Sequence, residues 1–166
     1  MVVGKFNLGL AVLLLASCVQ SGIDAPAELA QVDEHYFRCQ VQPVLAKSCA
    51  FMDCHGNAER PLRIYAEQRF RLDIDWLDYE APLTSDELAA NLQAVRGFIG
   101  GHRGPKDLLS EKPLDNRYGG LFHKAAELYG QDDVFLDRED PDYQTLRQFM
   151  EGARADPDCQ VAEDMP

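Results

Sequence analysis

The run Cys49-Ala50-Phe51-Met52-Asp53-Cys54-His55-Gly56 brings two thiols and an imidazole into one short stretch. The chemistry this order allows most directly is covalent haem attachment, in which each thiol adds to a vinyl group and the histidine next to the second cysteine is held beneath the iron. The usual spacing is C-x-x-C-H, whereas here four residues separate the cysteines, so the two extra residues have to bulge out between the thioethers. Three other readings stay open. Cys49 and Cys54 could close a small disulfide loop with His55 at the surface. They could join a zinc site, although Cys, Cys and a directly adjacent His reach one tetrahedral ion with difficulty and a fourth ligand is not obvious. They could form a redox dithiol, for which C-x-x-C in a βαβ setting is the recognised form.

A low-spin electron-transfer haem needs a second axial ligand, with Met and His the usual choices. The candidates are His102, His123, Met52, Met150 and Met165, with His35 as an outsider. Met52 lies inside the attachment loop and faces the wrong way, Met165 falls in the terminal tail, and Met150 sits on an apolar helical stripe where a core methionine is the plainer reading. His102 and His123 each follow a Gly-Gly pair, which would let backbone pass close to a ring. The acidic residues Asp132, Asp133, Asp137 to Asp140 and Asp142 read as a solvated face, because they lack calcium-loop spacing.

These residues must be held by a small, mainly α domain. Apolar positions Phe37, Val41, Val44 and Leu45 mark one stripe of a first helix, which Pro43 should kink. Period-two alternation over Phe70 to Trp76, with Leu62 and Ile64 before it, predicts a short β excursion. Thr84 and Glu87 form a capping box ahead of the stripe Leu88, Leu92, Val95 and Ile99. A turn-rich loop follows from Gly100 to Gly120, then a short helix over Leu121 to Tyr129. Asp140 caps a last helix that begins with Pro141 and buries Tyr143, Leu146, Phe149, Met150 and Ala153.

The chain of 166 residues suits one domain at roughly 100–200 residues per domain. Its formal net charge of −12 and pI near 4.6 offer no electrostatic footprint for phosphate backbones, which excludes nucleic acid as a partner. Five cysteines favour an oxidising compartment. Residues 1–17 agree with that: Lys5, an apolar run from Leu8 to Ala16 and a small-residue exit make an export signal, too short for the ~20 residues of a membrane span. Its ending, Leu15-Ala16-Ser17-Cys18, resembles the bacterial lipobox, which implies cleavage before Cys18 and lipidation of that thiol, with an ordinary signal peptide as the alternative. Cleavage takes away Lys5, the only charged residue of the segment, and leaves the mature chain at −13. Val19 after the lipidated cysteine points, by resemblance to lipoprotein sorting, to the outer membrane and a periplasm-facing domain. Residues 18–32 then read as a tether and 33–166 as the domain.

Phe37, Val41, Pro43, Val44 and Leu45, followed by Cys54-His55-Gly56, resemble the "F-x-x-x-V-x-P-I-L … C-H-G" lead of planctomycete-type cytochrome c-like domains. Downstream, Leu109 to Leu114, Gly119-Gly120-Leu121-Phe122-His123 and Tyr143-x-x-Leu146-x-x-Phe149-x-x-Gly152-Ala153 are similar to the tail of the same domains, with Phe149 where Trp is usual and Lys124-Ala125-Ala126 where glycines often follow the His. The likeness spans residues 33 to 153. It implies a cytochrome c-like helical fold and one covalent haem c, held by Cys49, Cys54 and His55, with His123 at the family's distal position. The implied function is one-electron transfer rather than catalysis, to a redox protein partner that the residues do not name. A haem enzyme or sensor with an open sixth site, and a haem-free disulfide-bonded binding lipoprotein, are the alternatives. In such folds the terminal helices cross, so the resemblance also implies a Cys39–Cys159 disulfide, against two unpaired thiols. Arg103, Lys106, Lys112 and Arg117 would lie near the haem propionates.

Overall fold

Pro43 shapes the first element. A proline inside an α-helix lacks the N–H for its own turn and presses its ring on the carbonyl four residues back. In the computed structural model, which describes residues 31–72, 80–99, 107–123 and 133–159, the chain answers this by widening the turn before the proline. Helix α1 (Glu34–Tyr36) runs into a π-helical turn over Phe37–Val41, and α2 (Gln42–Ser48) starts with Pro43 in its first turn. Gln42 donates its backbone N–H to the Phe37 carbonyl, five residues back. The expected kink is therefore a π turn, and it keeps Phe37, Val41, Val44 and Leu45 on one buried face.

Helix α3 (Ser85–Arg96) begins with the capping box in full, the Glu87 N–H donating to the Thr84 hydroxyl at 3.2 Å and the Thr84 N–H to the Glu87 carboxylate at 2.9 Å. Its buried face holds Leu88, Leu92 and Val95. A single turn, α4 (Leu108–Glu111), and a 3₁₀ turn at Asn116–Tyr118 lead to the last helix, α5 (Pro141–Met150). Asp140 caps α5 by accepting the N–H groups of Asp142 and Tyr143. Phe149 is fully buried and packs its ring 5.9 Å from Phe37 and 6.1 Å from Tyr36, so α5 lies across the first helical run. The Cys39–Cys159 disulfide joins the same two regions, with Cα atoms 6.3 Å apart.

The described residues contain no β-strand, and this corrects the expected short β excursion as far as Leu72; residues 73–79 lie outside the described set. The segment Leu62 to Ala66 pairs with no strand: the Ile64 and Ala66 N–H groups donate to the His55 and Phe70 carbonyls, and the polar groups of Tyr65 are taken by side chains. The Tyr65 N–H donates to Asn91, the Tyr65 carbonyl accepts from both Asn91 and Gln42, and Asn91 also donates to Gln42, all buried. These bonds tie α2 to α3 across this segment. The only ladder-like contact among the described residues is a parallel bridge between Leu114 and Phe135. The expected helix over Leu121 to Tyr129 is corrected in part: Leu121, Phe122 and His123 are not helical, and residues 124–130 lie outside the described set. The signal segment, Cys18 and the start of the tether also lie outside it.

Arg71 and Glu87 make a buried ion pair at 2.8 Å, in which the carboxylate also accepts the N–H groups of Leu72 and Thr84. Burial pushes the Glu87 carboxyl up, but the hydrogen bonds from Arg71, Leu72 and Thr84 outweigh it and hold the group at about 2 instead of 4.5. A lowered carboxylate value means the folded state binds fewer protons than the unfolded one, so stability is full above pH 4.5 and falls as the pH drops towards about 2. Glu87→Gln leaves Arg71 buried without its counter-charge and should cost roughly 3–5 kcal/mol at pH 7. Denaturant titrations at pH 7 and pH 3 should show the gap between wild type and variant shrinking at the lower pH. Reduction of Cys39–Cys159 should lower stability by about 2–4 kcal/mol in the same assay.

Candidate functional site

The loop after α2 folds back on itself. Cys49 continues the helical turn by donating its N–H to the Leu45 carbonyl, and the His55 N–H returns to the Cys49 carbonyl at 3.0 Å. Cys54 and Gly56 both donate to the Phe51 carbonyl, which pushes Phe51 and Met52 outward to 48% and 72% exposure. Gly56 has no room for a side chain: a Cβ there would lie 2.2 Å from the Ala50 carbonyl oxygen. Cys49 and Cys54 are free thiols, both half-buried. Burial, with Cys54 nearby, pushes the Cys49 thiol up to about 12. A thiol so held is a poor thiolate, which counts against both the zinc and the redox-dithiol readings.

His55 donates its Nδ1–H to the Leu62 carbonyl at 2.8 Å, and the adjoining Ile64 N–H donates to the His55 carbonyl, so ring and backbone are both fixed by the segment Leu62 to Ala66. Burial first, with the nearby His123, holds the His55 imidazole below its usual value and favours the neutral form that a metal requires.

His123 comes from a different part of the chain. Gly119 ends the 3₁₀ turn with φ +90°, and Gly120 passes so close to Leu114 that a Cβ would lie 1.6 Å from its carbonyl oxygen. The Leu121 N–H then donates to Glu111 at 2.7 Å and Lys112 Nζ to the Phe122 carbonyl at 3.3 Å. Across the parallel bridge, Asp115 donates to Phe135 and Phe135 to Pro113, which sets Asp133 beside His123. The His123 Nδ1–H donates to the Asp133 carboxylate at 2.9 Å.

These two segments bring the rings of His55 and His123 to 6.3 Å between centres, with their planes 12° apart. Contacting aromatic rings in general span about 4.5–7 Å, so the distance has to be read with the ring orientation. Each Nδ1 is bound to protein, which leaves metal ligation to Nε2 on both rings. A metal–imidazole bond of about 2.0–2.1 Å on each side, with roughly 1.1 Å from each nitrogen to its ring centre, would set the centres about 6.3 Å apart. That spacing would accommodate one metal ion between the two Nε2 atoms, and Cys49 and Cys54, as free thiols, could supply thioethers to a covalently held haem.

The other candidates stand elsewhere. Met52 points to solvent and Met150 packs against the core, while His102 and Met165 lie outside the described residues. His35 does not simply face water; its Nε2 lies 3.8 Å from Cys39 Sγ, against the disulfide. Arg117 pairs with Asp115, and Arg103 and Lys106 lie outside the described residues. Asp133 corrects the reading of the acidic run as a solvated face, since it is buried against His123. Nothing local marks it, because the bridge that delivers it joins residues distant in sequence. Comparison with family models, curated proteins and solved structures found no match to this chain.

The two close glycines should be the least replaceable residues of the site. Gly56→Ala and Gly120→Ala each force backbone apart and should cost about 3 kcal/mol or more. Gly97→Ala, where the nearest contact is 3.3 Å and φ is helical, should cost far less. Thermal and denaturant unfolding of the three variants checks the order.

Proposed function

We propose that this chain is a monohaem c-type electron carrier with a cytochrome c-like fold, anchored through Cys18 in the cell envelope, on the periplasmic side of an outer membrane. The observation that carries the reading is the His55–His123 pair, two near-parallel imidazoles 6.3 Å apart, each with its Nδ1 hydrogen-bonded to the protein. Cys49 and Cys54 would hold the haem through thioethers, His55 and His123 through Nε2. Bound haem supplies a one-electron ferric/ferrous couple.

The chain's own work is positional. Leu62 and Asp133 fix the two rings and their tautomers, so neither histidine has to turn when the charge at the site changes. The tight backbone turns at Gly56 and Gly120 hold the two ligand segments in place. Exposed Phe51, Met52 and Phe122, each near a ligand in the chain, give a redox partner an apolar surface at short range. With His55 and His123 both holding it, a haem would have a lower potential than a His/Met site gives and would offer substrate no open position, which favours a carrier over a haem enzyme.

Matured with a c-type haem-attachment system, the protein should keep haem stain through denaturing electrophoresis, and Cys49→Ser with Cys54→Ser should abolish it; absence of stain in wild type overturns the reading. His123→Ala should convert a six-coordinate low-spin spectrum to a high-spin one that binds small exogenous ligands. His102→Ala and Met150→Ala should leave the spectrum unchanged. Cys18→Ala should release the domain from the membrane fraction, and acyl chains should be found on the wild-type N-terminus.

A further inference from the structure

The two histidines are not held alike. His55 gives its Nδ1–H to a neutral carbonyl, that of Leu62, while His123 gives its Nδ1–H to the carboxylate of Asp133, whose side chain is 4% exposed. The same Asp133 oxygen also accepts the Val134 N–H at 2.9 Å, so the carboxylate is fixed from the backbone side as well as from the ring. We infer that Asp133 is the residue that sets the potential of the site, by placing a buried negative charge on the Nδ1–H of His123 and so favouring the ferric over the ferrous form. The inference rests on the haem reading above.

A buried carboxylate accepting an N–H makes a charge-assisted hydrogen bond, stronger than one to a neutral carbonyl. That bond polarises the imidazole, raises electron density on Nε2 and makes His123 the stronger of the two donors. Both effects, a more basic ligand and a fixed negative charge close by, stabilise the higher positive charge of the oxidised site. The Leu62 carbonyl can do neither to the same degree. Asp133 is thus a positioning residue acting through His123. The arrangement suits a carrier that takes electrons from a strong reductant, because a lowered potential narrows the set of donors able to reduce it.

Asp133→Asn is the informative change: it keeps the volume and can still accept the Nδ1–H, but removes the charge. In the haem-loaded protein, redox titration should show at least a tenfold loss of preference for the ferric form, a rise of about 59 mV for one electron, with the low-spin spectrum retained. Glu139→Gln, which removes an exposed charge from the same segment, should leave the potential in place. A loaded, low-spin Asp133→Asn protein with an unchanged potential overturns the inference and leaves the haem reading standing; wild type without haem overturns the haem reading itself. Should Asp133→Asn fail to fold, ¹⁵N-histidine NMR of the ferrous wild type decides. The His123 Nδ1 proton should resonate well downfield of the His55 one, and equal shifts would overturn the inference.

Discussion

Two imidazole rings, 6.3 Å apart and nearly parallel, are the constraint around which this domain is arranged. Each ring is held from behind by a hydrogen bond at its Nδ1. The Leu62 carbonyl holds one and the Asp133 carboxylate the other. Each of those partners depends on a further contact: Leu62 lies on the segment bound to Gln42 and Asn91, and Asp133 lies at the end of the bridge between Leu114 and Phe135. Loss of either support would free a histidine without touching the histidine itself.

Behind the rings the fold is stabilised by several contacts between distant segments. Phe149 packs α5 on the first helical run, the Cys39–Cys159 disulfide joins the same regions, and Arg138 links Glu111 to α5 through Tyr143. Buried polar groups at Gln42, Asn91 and Glu87 are satisfied by named partners, which makes them specific as well as stabilising. The π turn serves the same end. It absorbs Pro43 while keeping Phe37 and Val41 in the core, and the helix still ends where Cys49 must begin the ligand loop.

What was legible from sequence is what local chemistry dictates. The capping box at Thr84 and Glu87 and the Asp140-Pro141 start of α5 follow from side chains acting on adjacent backbone, and they are found as read. The alternation read over Phe70 to Trp76, with Leu62 and Ile64 before it, gives no strand as far as Leu72, because period two reports an extended chain and not a paired one; at Tyr65, Asn91 and Gln42 occupy the hydrogen-bonding groups a neighbouring strand would use. Asp133 was misread for the opposite reason. Its burial comes from a bridge between residues far apart in the chain, and its acidic neighbours conceal it.

The proposed electron transfer would demand little rearrangement, and a pair of rings each fixed at Nδ1 meets that demand. The orientation of the rings also leaves a direct spectroscopic trace, because near-parallel axial imidazoles split the iron d-orbitals strongly. Electron paramagnetic resonance of the ferric, haem-loaded protein therefore tests the central claim: the 12° between the ring planes predicts a rhombic low-spin signal of a bis-histidine haem, and a high-spin axial signal would contradict it.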